Sequence, residues 1–269
     1  MSLATLLVLA DGRLPAGGHA HSGGFEAAVS AGRVRDLAGL EGFLRGRLHT
    51  SGVVAAAFTA AACAAGLEAG SPQPPDPRAL LHPTDLHAGS PQPTAPRPAA
   101  SRPTDPRPAD PRPADPWDVF RRRIAELDDG MDARTPSPAL RRASRAQGRA
   151  LLRAGRAMWP VPAAGREPHH PVALGVVAAA AGLDPLAAAT AAAHGTVTGP
   201  ASAAVRLLGL DPYTVQGLIA ALAPECDRIA ASSAGTANDP VDGLPADGAP
   251  LLDIGAEHHA SWEVRLFAS

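Results

Sequence analysis

Aromatic residues are scarce in this sequence, at 3% of 269 positions, although hydrophobic residues make up 45%. A core therefore has to be built from Ala, Leu and Val, which suits closely packed helices, because Ala has the highest helix propensity and loses no side-chain entropy. Long β-branched stretches are also lacking, which argues against an all-β fold. Lysine is absent, and all 24 basic residues are Arg. That excludes a P-loop lysine, a Schiff-base lysine and a lysine general base, so any nucleotide chemistry associated with this chain belongs to another one. The formal net charge is only −2, too small to draw the chain toward nucleic acid or anionic lipid. The two cysteines, Cys63 and Cys226, are far apart in sequence and form no C-x-x-C pair, which excludes a Cys-rich zinc site and leaves a disulfide open but disfavoured. No run reaches the roughly 18 apolar residues of a membrane span. The apolar opening, Ser2 to Ala10, is short, lacks a basic flank and is followed by Asp11, which predicts a first helix rather than a signal peptide and a cytoplasmic protein. G-x-S-x-G, H-E-x-x-H and dinucleotide fingerprints are missing too, and no nucleophile–base pair stands out, so the expectation is a protein that is not an enzyme.

What is present divides the chain into three. From Ser71 to Pro116 proline recurs every few residues, and two Gly-Ser-Pro-Gln-Pro copies begin at Gly70 and Gly89. Proline blocks helix continuation, and few large apolar groups offset the ordering entropy, so a disordered or polyproline-like insert is expected over 71–116. On either side the apolar spacing is helical. Asp36 is a plausible cap before Leu37, Leu40, Phe43, Leu44 and Leu48, and a second run covers Val53 to Ala65. Helical texture resumes at Trp117, and Ser137-Pro138 opens a long helix ending near Trp159-Pro160. His170-Pro171, Asp184-Pro185, Gly199-Pro200 and Asp211-Pro212 each resemble a helix start, and another run begins near Pro224. Gly235 to Pro250 is loop-like. Leu251 to Ser269 shows no clear periodicity but is too apolar to hang free in water. The predicted fold is all-α: a single helical domain of roughly ten short-to-medium helices, with its N-terminal part in 1–70, the insert in 71–116, and its C-terminal part with a docking tail in 117–269.

Three constellations carry the polar information. In Leu14-Pro-Ala-Gly-Gly-His-Ala-His-Ser-Gly-Gly-Phe-Glu26 the glycines permit tight backbone paths, Ser22 is placed to cap the helix holding Glu26, and His19 and His21 form an H-x-H pair. Such a pair alone is a weak metal signal, because a stable site needs further ligands. The loop is therefore either a partner-docking or metal-handling element or an exposed turn with two solvated histidines. Arg142, Arg145, Arg149, Arg153 and Arg156 lie three or four apart on one helix face with no acid among them. A solvated face offset by acids elsewhere is the first reading, an acidic partner surface the second, and nucleic acid the least favoured. The pairs His169-His170 and His258-His259 point apart on regular structure, so structural or capping roles are expected for them and for His194. Asp128-Asp129 look like solvated turn formers at a helix end.

Taken together, Leu9-Ala-Asp-Gly-Arg-Leu-Pro-Ala-Gly-Gly-His-Ala-His-Ser-Gly-Gly-Phe-Glu-Ala-Ala-Val29, Arg145-Ala-Gln-Gly-Arg-Ala-Leu-Leu152, His169-His-Pro-Val-Ala-Leu-Gly175, Ala201-Ser-Ala-Ala-Val-Arg-Leu-Leu208, Leu252-Asp-Ile254 and Arg265-Leu-Phe-Ala-Ser269 resemble, in order and spacing, the UreF family of urease accessory proteins. The resemblance covers nearly all the chain except 71–116. It implies an all-α homodimer that binds UreD (also called UreH). That pair recruits the GTPase UreG and supports GTP-dependent delivery of nickel to apo-urease. No cofactor is held stably, and nickel only transits in the complex. A histidine-based nickel carrier is the alternative. The partner-binding residues expected on this basis are His19, His21, Ser22, Glu26, Arg145, Arg149, Asp253, Arg265, Leu266 and Phe267, with His19 and His21 as weak metal candidates. His21 stands where the family often carries an aromatic residue that seats the tail. Arg265 lies in the tail's R-L-F segment and is expected to pair with a buried acceptor or ring near the His19–Glu26 loop. The insert departs from the family pattern. So does the tail, where Gly255-Ala256-Glu257-His258-His259 and Trp262 replace a Met-Arg-His-Glu type of segment and a Tyr, and either His258 or His259 stands for the usual His.

Overall fold

Most helices here begin at a side-chain oxygen that accepts a hydrogen bond from the first turn. Ser2, Asp36, Asp115, Ser137, Asp184 and Asp211 all cap in this way, and in the last four proline follows directly, with its φ already helical and no N–H to lose. The computed structural model describes residues 2–15, 20–70 and 115–267. In chain order the helices are α1 (Leu3–Ala10), α2 (Phe25–Ser30), α3 (Leu37–Arg47), α4 (Val53–Glu68), α5 (Pro116–Ala133), α6 (Pro138–Arg156), α7 (His170–Ala180), α8 (Pro185–Leu208), α9 (Pro212–Gly235) and α10 (Pro250–Ala260). Among the described residues there is no strand, and the fold is all-α.

The centre of the fold is α4, whose residues are buried almost all round. It packs against α7, α8, α9 and α5, so helices from both sides of 71–114 share one core. Small side chains allow close approach. A Cβ at Gly175 of α7 would lie 2.3 Å from the Thr59 carbonyl of α4, and one at Gly148 of α6 would lie 2.0 Å from the Pro168 carbonyl. A second cluster gathers Phe58, Phe120, Ile124, Leu127, Val172 and Val176. Each such large side chain removed from water contributes about 1.5–3 kcal/mol.

A π-helical turn, Leu48–Gly52, joins α3 to α4 into one helix spanning Leu37–Glu68. This helix is long and apolar enough to cross a membrane, but 72% of its apolar window is buried against the rest of the chain, as befits a core helix.

Several expectations are corrected. Gly199-Pro200 and Pro224 do not start helices: Pro200 lies inside α8 and Pro224 inside α9. Packing overrides the local cost, and at Pro200 a side chain repairs the lost hydrogen bond: the Thr196 carbonyl, four residues earlier, accepts from Arg47 Nε at 3.3 Å. The segment after Pro250 forms α10 despite its weak periodicity. Asp128 and Asp129 lie within α5 rather than at its end. The insert expected over 71–116 lies outside the described residues, save that Asp115 caps α5 and Pro116 is its first residue. Cys63 and Cys226 are buried free thiols.

Candidate partner-binding surface

The loop before α2 turns through Gly23 (φ 60°) and Gly24 (φ 86°), left-handed conformations that favour glycine. Gly24 is the residue before the helix, and the side-chain cap comes from two residues further back, where Ser22 Oγ accepts from the Glu26 N–H at 3.2 Å. Ser22 therefore caps α2 as expected, from two positions outside the usual one. A Cβ at Gly24 would lie 3.1 Å from Leu252 Cδ2, so the glycine also lets α10 approach.

Glu26, one residue into α2, is buried and takes three donors from the C-terminal segment. His259 Nε2 lies 2.9 Å from Oε2, the Leu266 N–H donates to Oε1 at 3.0 Å, and the Phe267 N–H donates to Oε2 at 3.0 Å. Two backbone amides converging on one carboxylate make a small anion nest that holds the tail against α2. The Phe267 ring is buried under the Arg206 guanidinium of α8, 4.4 Å from the ring centroid, a cation–π contact. The His259 ring is buried and meets Trp262 edge-on at 4.6 Å.

Thus Ser22, Glu26, Leu266 and Phe267 come together at one junction, and the tail meets the loop. The means differ from expectation. Arg265 is exposed, with no hydrogen bond or ion pair among the described residues. Backbone amides, which carry no sequence signal, occupy the acceptor that its side chain was expected to find. Of the two candidate histidines it is His259 that faces inward, while His258 lies outside and meets the Trp262 indole nitrogen at 3.3 Å. Asp253 accepts from the Ser137 N–H at 3.2 Å, and Glu257 of the same helix accepts from Ser137 Oγ and the Ala139 N–H. Two α10 carboxylates thereby sit at the N-terminus of α6, where the helix dipole favours negative charge. The hydrogen bonds from Ser137 and Ala139 hold the Glu257 carboxyl below its usual range. The outer face of this assembly is apolar: Leu251 and Ile254 of α10 are 63% and 64% exposed, and Val264 and Leu266 of the tail 83% and 72%.

Arg145 and Arg149 belong to a different site. Arg145 bonds Asp128 at 2.8 Å, Asp132 at 2.6 Å and the Glu167 carbonyl, and Arg149 pairs with Glu167 at 3.0 Å. Acids from α5 and from the segment before α7 thus offset the stripe, while Arg142, Arg153 and Arg156 stay exposed. Asp128 is no solvated turn former, since it also accepts from the His169 N–H at 2.7 Å. The buried His169 ring reaches Asp132 and Ser144 at 2.9 and 3.0 Å. Burial pushes His169 below its ordinary value despite Asp132, and burial works against ionisation of Asp132, but its bonds to His169 and Arg145 prevail and lower it. His170 is pushed down to about 4 by burial, with the charge of nearby His21 acting in the same direction. His19 lies outside the described residues. Among those described, no three His, Cys, Asp or Glu side chains cluster to hold a metal.

The residues missed in the sequence are Arg206 and Asp132, each unremarkable in its own helix. Only tertiary placement sets them against Phe267 and His169.

Comparison with known proteins bears on this geometry. The UreF family model matches residues 34–223. The chain is 41% identical to the urease accessory protein UreF of Mycobacterium sp. (strain JLS), over 100% of this chain and 99% of that protein. It is 41% identical to the same-named protein of Mycolicibacterium vanbaalenii and 35% identical to that of Mycobacterium tuberculosis (strain ATCC 25618 / H37Rv), with the same coverage in both. A match of this extent, running through the loop, the α6 stripe and the tail alike, places the chain in the UreF family of urease accessory proteins.

Proposed function

We propose that this chain is a non-catalytic scaffold of urease maturation, acting in the cytoplasm as a homodimer. In this reading the α10 and tail surface docks UreD (UreH). The pair recruits the GTPase UreG, and the assembly supports GTP-dependent insertion of nickel into apo-urease. Nickel is the cargo of the complex and is not a resident cofactor of this chain. The observation that carries the reading is the junction at Glu26: a buried carboxylate holds the tail in place while Leu251, Ile254, Val264 and Leu266 face outward. Apolar groups held outward on a fixed backbone favour protein docking, because little ordering entropy remains to be lost on binding.

The test is co-elution of the purified chain with UreD at micromolar concentration, comparing wild type with Leu251→Asp/Ile254→Asp. The expected result is a stable complex for wild type and none for the variant, with an unchanged melting temperature, since both side chains are already exposed. Failure of the wild-type pair to co-elute, or GTP turnover by this chain alone, would overturn the scaffold reading.

A further inference from the structure

Arg47, the last residue of α3, bridges two distant carbonyls. Its Nε donates to Thr196 at 3.3 Å and its Nη1 to Gly23 at 2.7 Å. The first bond answers a specific deficit. In a regular helix the Thr196 carbonyl accepts from the N–H of residue 200, and here residue 200 is proline. The second bond has no part in that repair. It fixes the carbonyl of Gly23, directly before Gly24, from which α2 departs toward Glu26.

The surroundings are built around this guanidinium. A Cβ at Gly23 would lie 3.0 Å from Arg47 Cζ and Nη2, so that glycine is demanded both by its left-handed backbone and by the arginine lying across it. The α3–α4 helix widens into its π turn directly after Arg47, and turns of this kind recur at functional sites. Gly52, in that turn, lets the helix press on α8, since a Cβ there would lie 3.1 Å from Thr196 Cγ2. Among the described residues the hydrogen bonds of Arg47 go to carbonyls and none to a carboxylate, and burial pushes the guanidinium down to about 10. A cation desolvated in this way is costly unless its donors are matched by well-placed acceptors.

We infer that Arg47 is a positioning residue for the docked tail. By holding the Gly23 carbonyl against the proline break in α8, it sets the direction in which α2 leaves the loop, and with it the place of the Glu26 carboxylate that receives Leu266 and Phe267. The consequence for partner binding rests on the scaffold reading above. The placement of the tail does not, and it is measured without any partner.

The experiment is hydrogen exchange at the Leu266 and Phe267 amides in the full-length chain, with the melting temperature recorded beside it. Arg47→Met should lower both the melting temperature and the protection of these two amides, the latter by tenfold or more. Arg47→Met/Pro200→Ala is the discriminating variant. It returns an N–H to residue 200, so α8 recovers its own donor for Thr196, while the Gly23 carbonyl stays unheld. The melting temperature should then rise again and the tail amides should remain unprotected. Where Arg47→Met alone fails to fold, the double variant supplies the reading. Arg47→Lys, which keeps the charge but loses the forked donor geometry, should show a smaller loss of the same kind. Wild-type tail protection in any folded Arg47 variant would overturn the inference. So would recovery of protection together with stability in the double variant, since Arg47 would then only patch α8. Release of the tail amides in the Arg47 variants with UreD binding retained would tell against the docking surface and leave Arg47's role intact.

Discussion

Glu26 concentrates the C-terminal segment's donors on one carboxylate, so it is the residue at which the tail is most easily released. Hydrogen bonds to a charged acceptor are worth about 1.5–3 kcal/mol each. Glu26→Gln keeps a single acceptor oxygen where three donors converge. The tail amides of Leu266 and Phe267 should exchange roughly ten- to a hundredfold faster, by the conversion of about 1.4 kcal/mol per tenfold, with the α4 core still protected. Arg265→Ala should leave their exchange unchanged, because that side chain is exposed. If Arg265→Ala released the tail as Glu26→Gln does, the carboxylate would not be its main anchor. The loop's part in this junction was legible as far as the turn and the cap, which Gly and Ser at these spacings advertise; that Glu26 is the buried acceptor was not, because burial of a single Glu leaves no local signal. The tail's part was legible only as far as its apolarity. Backbone amides carry no residue identity, and nothing in a His-His pair says which ring turns inward. His170 gives a residue-scale prediction in pH. Its folded value of about 4 lies below the ordinary histidine value of 6.5, so between those limits the unfolded chain takes up the proton first. Stability should fall as pH drops from about 6.5 to about 4, by at most about 1.4 kcal/mol per pH unit from this group. His169 and His194 shift in the same direction, so His170→Gln should shallow the slope in a series of denaturation curves rather than remove it.

Among the elements, those opened by Asp-Pro or Ser-Pro were legible to within a residue or two, since the cap and the proline state the same boundary independently. Pro200 and Pro224 show where that rule stops. Proline need not mark a helix start where another group supplies the missing donor, and at Pro200 that donor comes from Arg47, some 150 positions away in sequence. The crossing of α4 and α7 is a second feature invisible to periodicity, because it depends on which glycine faces which carbonyl. At Gly175 a methyl group would meet the Thr59 carbonyl at 2.3 Å and the Cys63 nitrogen at 2.8 Å, and backbone atoms cannot rotate aside. Gly175→Ala gains up to about 1 kcal/mol in helix propensity. The overpacking cost of about 1–3 kcal/mol or more should outweigh that gain, and chemical denaturation should show a net loss of stability. A neutral or stabilised variant would mean that the two helices can part without cost.

Across the whole molecule the core is closed by long-range packing. α4, from the first part of the chain, is enclosed by α5, α7, α8 and α9 from the last part, and those contacts do not run through the proline-rich stretch. That arrangement lets an insertion grow between α4 and α5 at little thermodynamic cost, because the entropy of closing a loop rises only by about 0.6 kcal/mol for each doubling of its length. Deleting residues 89–114 should therefore leave both the melting temperature and support of urease activation close to wild type. The boundary matters at one position. Asp115 accepts from the Trp117 N–H at 2.9 Å and caps α5, so extending the deletion to include it should cost about 1 kcal/mol and lower the melting temperature by a few degrees. Loss of activation in the 89–114 deletion, with stability retained, would show that the proline-rich stretch itself meets a partner. Equal melting temperatures for the two deletions would show that α5 is held by its packing without help from the cap.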